Sequence, residues 1–251
     1  MKSWFKHPLR VTGRLLWLGA ELALGGFRYI VGCGFRPANP ALRAVWLQQL
    51  CRRMLRVFGI ALDVSGVMSG RGLLISNHLS YVDILVIGAC APVVFVAKRE
   101  VKRWPVFGWF ARLAGTVFVD RESRSRVGQA AEEMEAALER GALVVLFPEG
   151  TSSDGKSVLP FKSSLLEPAA RFKHPLATAL IQYELPDGDV GEEVCYWKDM
   201  TLVPHLINLL SKRGLRASIR FTQTSAGSSD RKQIARQLHA EILQIKTALA
   251  A

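Results

Sequence analysis

The chain has 251 residues, 49% hydrophobic and 22% charged, which excludes a disordered segment and suits one sizeable α/β domain with an appendage. Its 33 Lys and Arg against 21 Asp and Glu give a net charge of +12, but nine of those twelve charges lie in residues 1–60, where ten basic residues face Glu21 alone. That asymmetry argues against a uniformly basic nucleic-acid binder. The four cysteines (Cys33, Cys51, Cys90, Cys195) are scattered without a CxxC pair, which speaks against a disulfide scaffold or zinc site and for a reducing compartment.

The run from Leu15 to Phe35 is apolar and about as long as a spanning helix needs. Glu21 and Arg28 interrupt it, and each would cost roughly 2.5–3.5 kcal/mol at a bilayer centre. The pattern therefore predicts a helix, or a hairpin broken near Gly25-Gly26, lying in one leaflet. A second amphipathic helix follows over Pro40–Phe58, with Leu42, Val45, Trp46, Leu50, Met54 and Val57 at helical spacing between arginines. Trp4, Trp17 and Trp46 suit a headgroup boundary. Residues 1–58 thus read as a basic membrane anchor whose partner is an anionic leaflet, and the remainder, 59–251, as the main domain. The implied location is the cytoplasmic face of the cell membrane, peripheral or monotopic, with no nucleic-acid partner. The alternative for residues 1–58 is a helical cap packed on the domain with solvated arginines.

From Gly59 onward, short β-type runs alternate with helical ones. Strands are predicted at Leu62–Ser65, Leu73–Ser76, Val93–Ala97, Thr116–Val119, Leu143–Phe147, Ala177–Tyr183 and Ala217–Thr222. Helices are predicted at Tyr81–Cys90, Pro105–Leu113, Ser125–Arg140, Ser164–Phe172, Pro204–Lys212 and Asp230–Leu249. This alternation predicts an α/β fold, a mostly parallel sheet flanked by helices. Pro186–Asp199 reads as a long acidic surface excursion.

Three segments carry chemistry. Ser76-Asn77-His78-Leu79-Ser80-Tyr81-Val82-Asp83 follows an apolar strand, and Ser80 with Asp83 has the S-x-x-D spacing of a capping box. The turn into the helix can bring His78 and Asp83 together, and a carboxylate on one imidazole nitrogen leaves the other free as a base; a plain helix cap is the simpler reading. Phe147-Pro148-Glu149-Gly150-Thr151-Ser152 also ends an apolar strand, at the sheet edge where open α/β sheets bind ligands. Gly150 allows close approach, and free amides there suit an anionic headgroup. Between them lie Lys98-Arg99-Glu100 and Gly115 to Arg121, cations at the same edge or ordinary surface charges.

In this order the segments resemble the glycerolipid acyltransferase family, over roughly Gly72 to Tyr183. The resemblance implies that His78 and Asp83 form the catalytic NHxxxxD pair. It implies that Lys98, Arg99 and Arg121, with Glu149, Gly150 and Thr151 of the FPEGT box, form the acceptor site. The implied reaction is O-acylation of a lysolipid, foremost 1-acylglycerol-3-phosphate, by an acyl-CoA or acyl carrier protein thioester, in phospholipid biosynthesis, without metal or cofactor. Ser152 stands where the family usually has Arg, which weakens a phosphate site and is more similar to lyso-ornithine lipid acyltransferases; a lyso-ornithine acceptor is the alternative. The fourth box also departs, with Ala177-Thr178-Ala179 where a second proline is usual. The chain has no G-x-S-x-G elbow, and no cysteine lies beside the histidine box, so a direct transfer is expected. A non-enzymatic membrane or nucleic-acid binder is the remaining alternative.

Overall fold

The computed structural model describes residues 7–33, 39–119, 124–171, 174–224 and 230–250. Within them, seven strands form one sheet in the order β1-β7-β6-β2-β5-β3-β4: β1 Ile60–Gly66, β2 Gly72–Ser76, β3 Val94–Lys98, β4 Val117–Val119, β5 Leu143–Leu146, β6 Leu176–Glu184 and β7 Leu215–Gln223. Every neighbouring pair is parallel except β6 with β7. The helices are α1 Pro8–Cys33, α2 Pro40–Phe58, α3 Val82–Cys90, α4 Phe107–Leu113, α5 Arg124–Glu139, α6 Glu167–Arg171, α7 Val190–Glu193, α8 Leu202–Ser211 and α9 Arg231–Ala250.

The central strands are apolar on both faces because helices cover both faces. Leu73 and Ile75 of β2 and Val144 and Leu146 of β5 point to a layer containing Ala130, Met134 and Leu138 of α5 and Ile234 and Leu238 of α9. Leu74 and Val145, one residue out of phase, join Val86 and Ile87 of α3 and the buried face of α2 in the opposite layer. A two-residue period on the strands thus meets a four-residue period on the helices.

Helix α2 is part of this core. Leu50, Met54, Leu55 and Phe58 are buried in it, each contributing about 1.5–3 kcal/mol. Its start is set by Asn39, whose Oδ1 accepts from Ala41 N at 2.9 Å, and by Pro40; it stops at Gly59, in the left-handed region at φ 68°. Helix α1 packs on α2 and α8 and runs unbroken through Gly25-Gly26, so the hairpin alternative does not occur. These glycines serve close approach: a Cβ on Gly25 would lie 3.0 Å from Leu50 Cδ1, and one on Gly26 3.3 Å from the Trp109 ring. Trp46 Nε1 donates to Gly25 O at 2.9 Å across the same contact. By length and composition α1 is apolar enough to cross a bilayer, and it exposes Leu16, Phe27 and Val31.

Several N-terminal arginines are spent inside the molecule, on helix C-termini. Arg10 donates to Ser211 O at 2.9 Å, and Arg14 to Leu210 O at 3.1 Å and Lys212 O at 2.6 Å, at the end of α8. Arg43 donates to Leu113 O at 2.6 Å and to Arg112 O at the end of α4, and Arg52 to Ala89 O at 2.9 Å near the end of α3. The last carbonyls of a helix have no partners within it and carry partial negative charge, so a guanidinium is well placed there. Arg53 sits 3.8 Å from Glu21. The basic excess of the first sixty residues is therefore in part an internal fastening of α1 and α2. Lys2, Lys6 and Arg36 lie outside the described residues.

Candidate active site

The sheet order places β2 between β6 and β5, with Ile75 opposite Leu146. Because these strands are parallel, the segments that follow them, His78 to Asp83 and Phe147 to Ser152, emerge side by side. Asn77 extends the β2–β6 ladder with its side chain: Nδ2 donates to Ile181 O at 3.0 Å and Oδ1 accepts from Ile181 N at 2.7 Å. The residue before the histidine is thereby locked to the sheet.

His78 Nδ1 and Asp83 Oδ2 are 2.7 Å apart. Asp83 is fully buried. Its Oδ2 also accepts from Leu79 N at 2.7 Å and Ser80 N at 3.0 Å, and its Oδ1 from Tyr183 Oη at 2.6 Å. Burial and the Asp83 carboxylate hold the Tyr183 phenol well above its usual pKa, so the phenol remains a donor. The capping box is half formed: the carboxylate reaches back to Ser80 N, while the buried Ser80 hydroxyl has no partner among the described residues. Asp83 is oriented toward the histidine by three donors besides His78 itself. The imidazole stacks on Phe147 at 4.3 Å between centroids, which fixes the ring plane.

Glu149 has a different place from the one its motif implies. It is buried, with Oε1 accepting from His78 N at 2.7 Å and Oε2 from Leu159 N at 2.9 Å. It braces the backbone of the loop that carries His78 and is absent from the cavity lining. Burial raises its pKa to about 7, against the pull of those two backbone amides and of His78. The amide of Gly150 closes its own turn on Phe147 O at 3.1 Å, and that of Ser153 donates to His78 O at 3.1 Å. The expectation of free amides at Gly150 is therefore corrected: that N–H is used to form the turn.

His78 opens into a cavity of about 310 Å³, whose lining includes Lys98, Gly150, Thr151 and Ser152. Arg99 begins a 3₁₀ turn over Arg99–Arg103, is exposed, and is not in that lining. Arg121 lies outside the described residues. Three lining residues were not legible in the sequence: Tyr196, Trp197 and Lys198 come from the segment read as an acidic excursion. That segment folds inward, with Val194 and Cys195 fully buried. Tyr196 N donates to Leu79 O at 2.8 Å, and the Ser152 hydroxyl donates to Tyr196 O. Apolar Val194 and aromatic Tyr196-Trp197 within an acidic stretch were the available signal.

A second cavity, of about 170 Å³ and lined almost entirely by apolar side chains of α1, α2, α3 and α4, adjoins the first; Tyr81, Ile84, Ala97, Val101 and Trp104 belong to both walls. Of the apolar residues after the histidine, Ile84 and Leu85 line it, whereas Val82 and Ile87 are wholly buried in the core.

A histidine–carboxylate pair whose imidazole lines a cavity that also holds lysines, beside a second, apolar cavity, can serve as a general base toward an amphiphilic substrate. The sequence model of the family described as Acyltransferase matches residues 54–182. The chain belongs to this acyltransferase family. It is 37% identical over 185 residues to a lyso-ornithine lipid O-acyltransferase of Rhodobacter capsulatus, an alignment covering 71% of this chain and 64% of that protein. It is 33% identical over 211 residues to the protein of the same name from Pseudomonas aeruginosa, covering 82% and 78%. To the 1-acyl-sn-glycerol-3-phosphate acyltransferase of Neisseria meningitidis serogroup B it is 32% identical over 166 residues, covering 61% and 65%. The chain thus spans just under two thirds of the length of the Rhodobacter protein. The crystal structure of PlsC, the 1-acyl-sn-glycerophosphate acyltransferase of Thermotoga maritima, has the same fold, with a TM-score of 0.67 at 18% identity over 96% of each chain.

Proposed function

We propose that this acyltransferase moves a fatty acyl group from a thioester to the free hydroxyl of a lysolipid. The observation that carries the reading is the 2.7 Å contact of His78 Nδ1 with the buried, fourfold-bonded Asp83, with His78 on the wall of a cavity that shares Tyr81, Ile84 and Trp104 with a second, apolar one. With Nδ1–H donating to Asp83, Nε2 is left as the base. The acceptor hydroxyl gives its proton to Nε2 as its oxygen bonds to the thioester carbonyl carbon. Asp83 stabilises the imidazolium, the C–S bond breaks, and the imidazolium returns the proton to the departing thiolate. Such general-base assistance is worth roughly 10²–10⁴ in rate. The second, apolar cavity suits the acyl chain, and the first, which carries Lys98 and Lys198, the acceptor headgroup.

Lyso-ornithine lipid is the acceptor this reading places first. Three relatives of that name align over 70–74% of this chain at 36–37% identity, against 52–61% at 32–34% for the two Neisseria proteins named for 1-acyl-sn-glycerol-3-phosphate, and Ser152 is engaged internally with Tyr196. Lys98 on the cavity wall favours 1-acylglycerol-3-phosphate as the second reading. The donor is acyl-CoA or acyl carrier protein. The exposed Leu16, Phe27, Ile30 and Val31 of α1, with Trp109 beside Gly26, support a seat in one membrane leaflet; the cytoplasmic face of the cell membrane is the location proposed for it.

The test offers the purified full chain both acceptors with one labelled thioester. Transfer to either, lost at least a hundredfold in a His78→Ala variant with an unchanged circular-dichroism spectrum, supports the reading. Labelling of neither lipid, or activity surviving His78→Ala, refutes it.

A further inference from the structure

Lys198 is a cavity cation that no motif announces. Among the described residues, the cavity at His78 has a mostly apolar wall that carries two lysines, Lys98 and Lys198, and no carboxylate. A site of that composition selects a headgroup by its anion; an ammonium finds no counter-charge there.

The backbone at Lys198 lies in the left-handed region, at φ 52°, a conformation residues with a Cβ seldom adopt. It persists because the preceding segment is tied down. Cys195 O accepts from His205 Nε2 at 3.0 Å, and Tyr196 is bonded through its amide to Leu79 and through its carbonyl to Ser152, as described above. Trp197 Nε1 donates to Gly191 O at 2.9 Å. Two of these ties, Leu79 and Ser152, belong to the segments that carry the catalytic pair and the adjoining turn. The Lys198 ammonium rests 3.8 Å from the centroid of the Trp197 ring, a cation–π contact that stiffens an otherwise flexible stem.

We infer that Lys198 recognises the anionic group of the acceptor, a carboxylate or a phosphate. The inference rests on the lysolipid reading above and specifies its headgroup subsite. A carboxylate source and a phosphate source share this chemistry and are separated by the choice of acceptor.

The experiment measures acceptor KM and kcat for the full chain and for Lys198→Met and Lys198→Arg. The acceptors are lyso-ornithine lipid, its carboxyl methyl ester and 1-acylglycerol-3-phosphate. Lys198→Met is expected to raise KM about tenfold for the anionic acceptor that the wild type uses, with kcat changing less. The penalty shrinks to under twofold on the methyl ester, and Lys198→Arg recovers most of the loss. The acceptor that shows the change identifies the anion. An unchanged KM in Lys198→Met, or an equal penalty on the methyl ester, overturns the inference while the transferase reading stands. A wild type that acylates none of the three removes both.

Discussion

Replacing Asp83 separates its structural from its chemical work. The carboxylate is buried and receives Leu79 N, Ser80 N, Tyr183 Oη and His78 Nδ1 at 2.6–3.0 Å. Asp83→Ala leaves three buried donors without an acceptor, the two amides and the phenol, at about 1–3 kcal/mol each. The sum, about 3–9 kcal/mol, is a large part of the ~5–15 kcal/mol that holds a domain together. In Asp83→Asn the amide oxygen still accepts from both backbone amides and from the imidazole, while its NH₂ group faces Tyr183. Only the phenol proton is orphaned, so the loss is about 1–3 kcal/mol, or roughly 3–10 °C in Tm for a chain of this size. Turnover responds differently, because the neutral amide cannot stabilise the imidazolium, and a fall of roughly 10²–10⁴ is expected. Thermal melts followed by circular dichroism, beside initial rates of acyl transfer in the same detergent, read both quantities. Asparagine retaining more than a tenth of wild-type turnover would refute the role given to the charge. Alanine melting with the wild type would refute the count of orphaned donors.

Glu149 predicts a pH signature. Its pKa is raised in the folded chain from 4.5 to about 7, so the stability linked to its proton is present below pH ~4.5 and is lost as pH rises toward 7. The loss is about 3 kcal/mol. Urea unfolding across that range should show the decline in the wild type and not in Glu149→Gln; a difference of the opposite sign contradicts the burial argument. Arg14→Ala should lower unfolding stability by about 1–2 kcal/mol through the α8 carbonyls while changing retention on anionic vesicles less than twofold. A loss of vesicle binding of about fivefold, the effect of one basic residue at an anionic surface, with stability unchanged would return Arg14 to the leaflet.

The alternation of short apolar runs with helical ones determined the α/β architecture, because the period of burial is written locally along each element. His78 and Asp83 were legible for the same reason: five residues and one strand-to-helix turn join them. Glu149 was visible as a motif residue, but its direction was not. Whether its carboxylate faces the cavity or the backbone of His78, 71 residues away, depends on β5 lying beside β2. Tyr183, 100 residues from Asp83, is in place only because β6 flanks β2 on the other side. Composition read the N-terminal arginines as facing a leaflet, whereas the fold turns Arg10, Arg14, Arg43 and Arg52 onto helix ends as many as 201 residues distant. It likewise folded the acidic segment inward, placing Tyr196, Trp197 and Lys198 at the cavity. Hydrogen bonds between groups far apart in the chain follow strand order and helix packing, so only the tertiary structure decided which charges serve the fold and which reach the site.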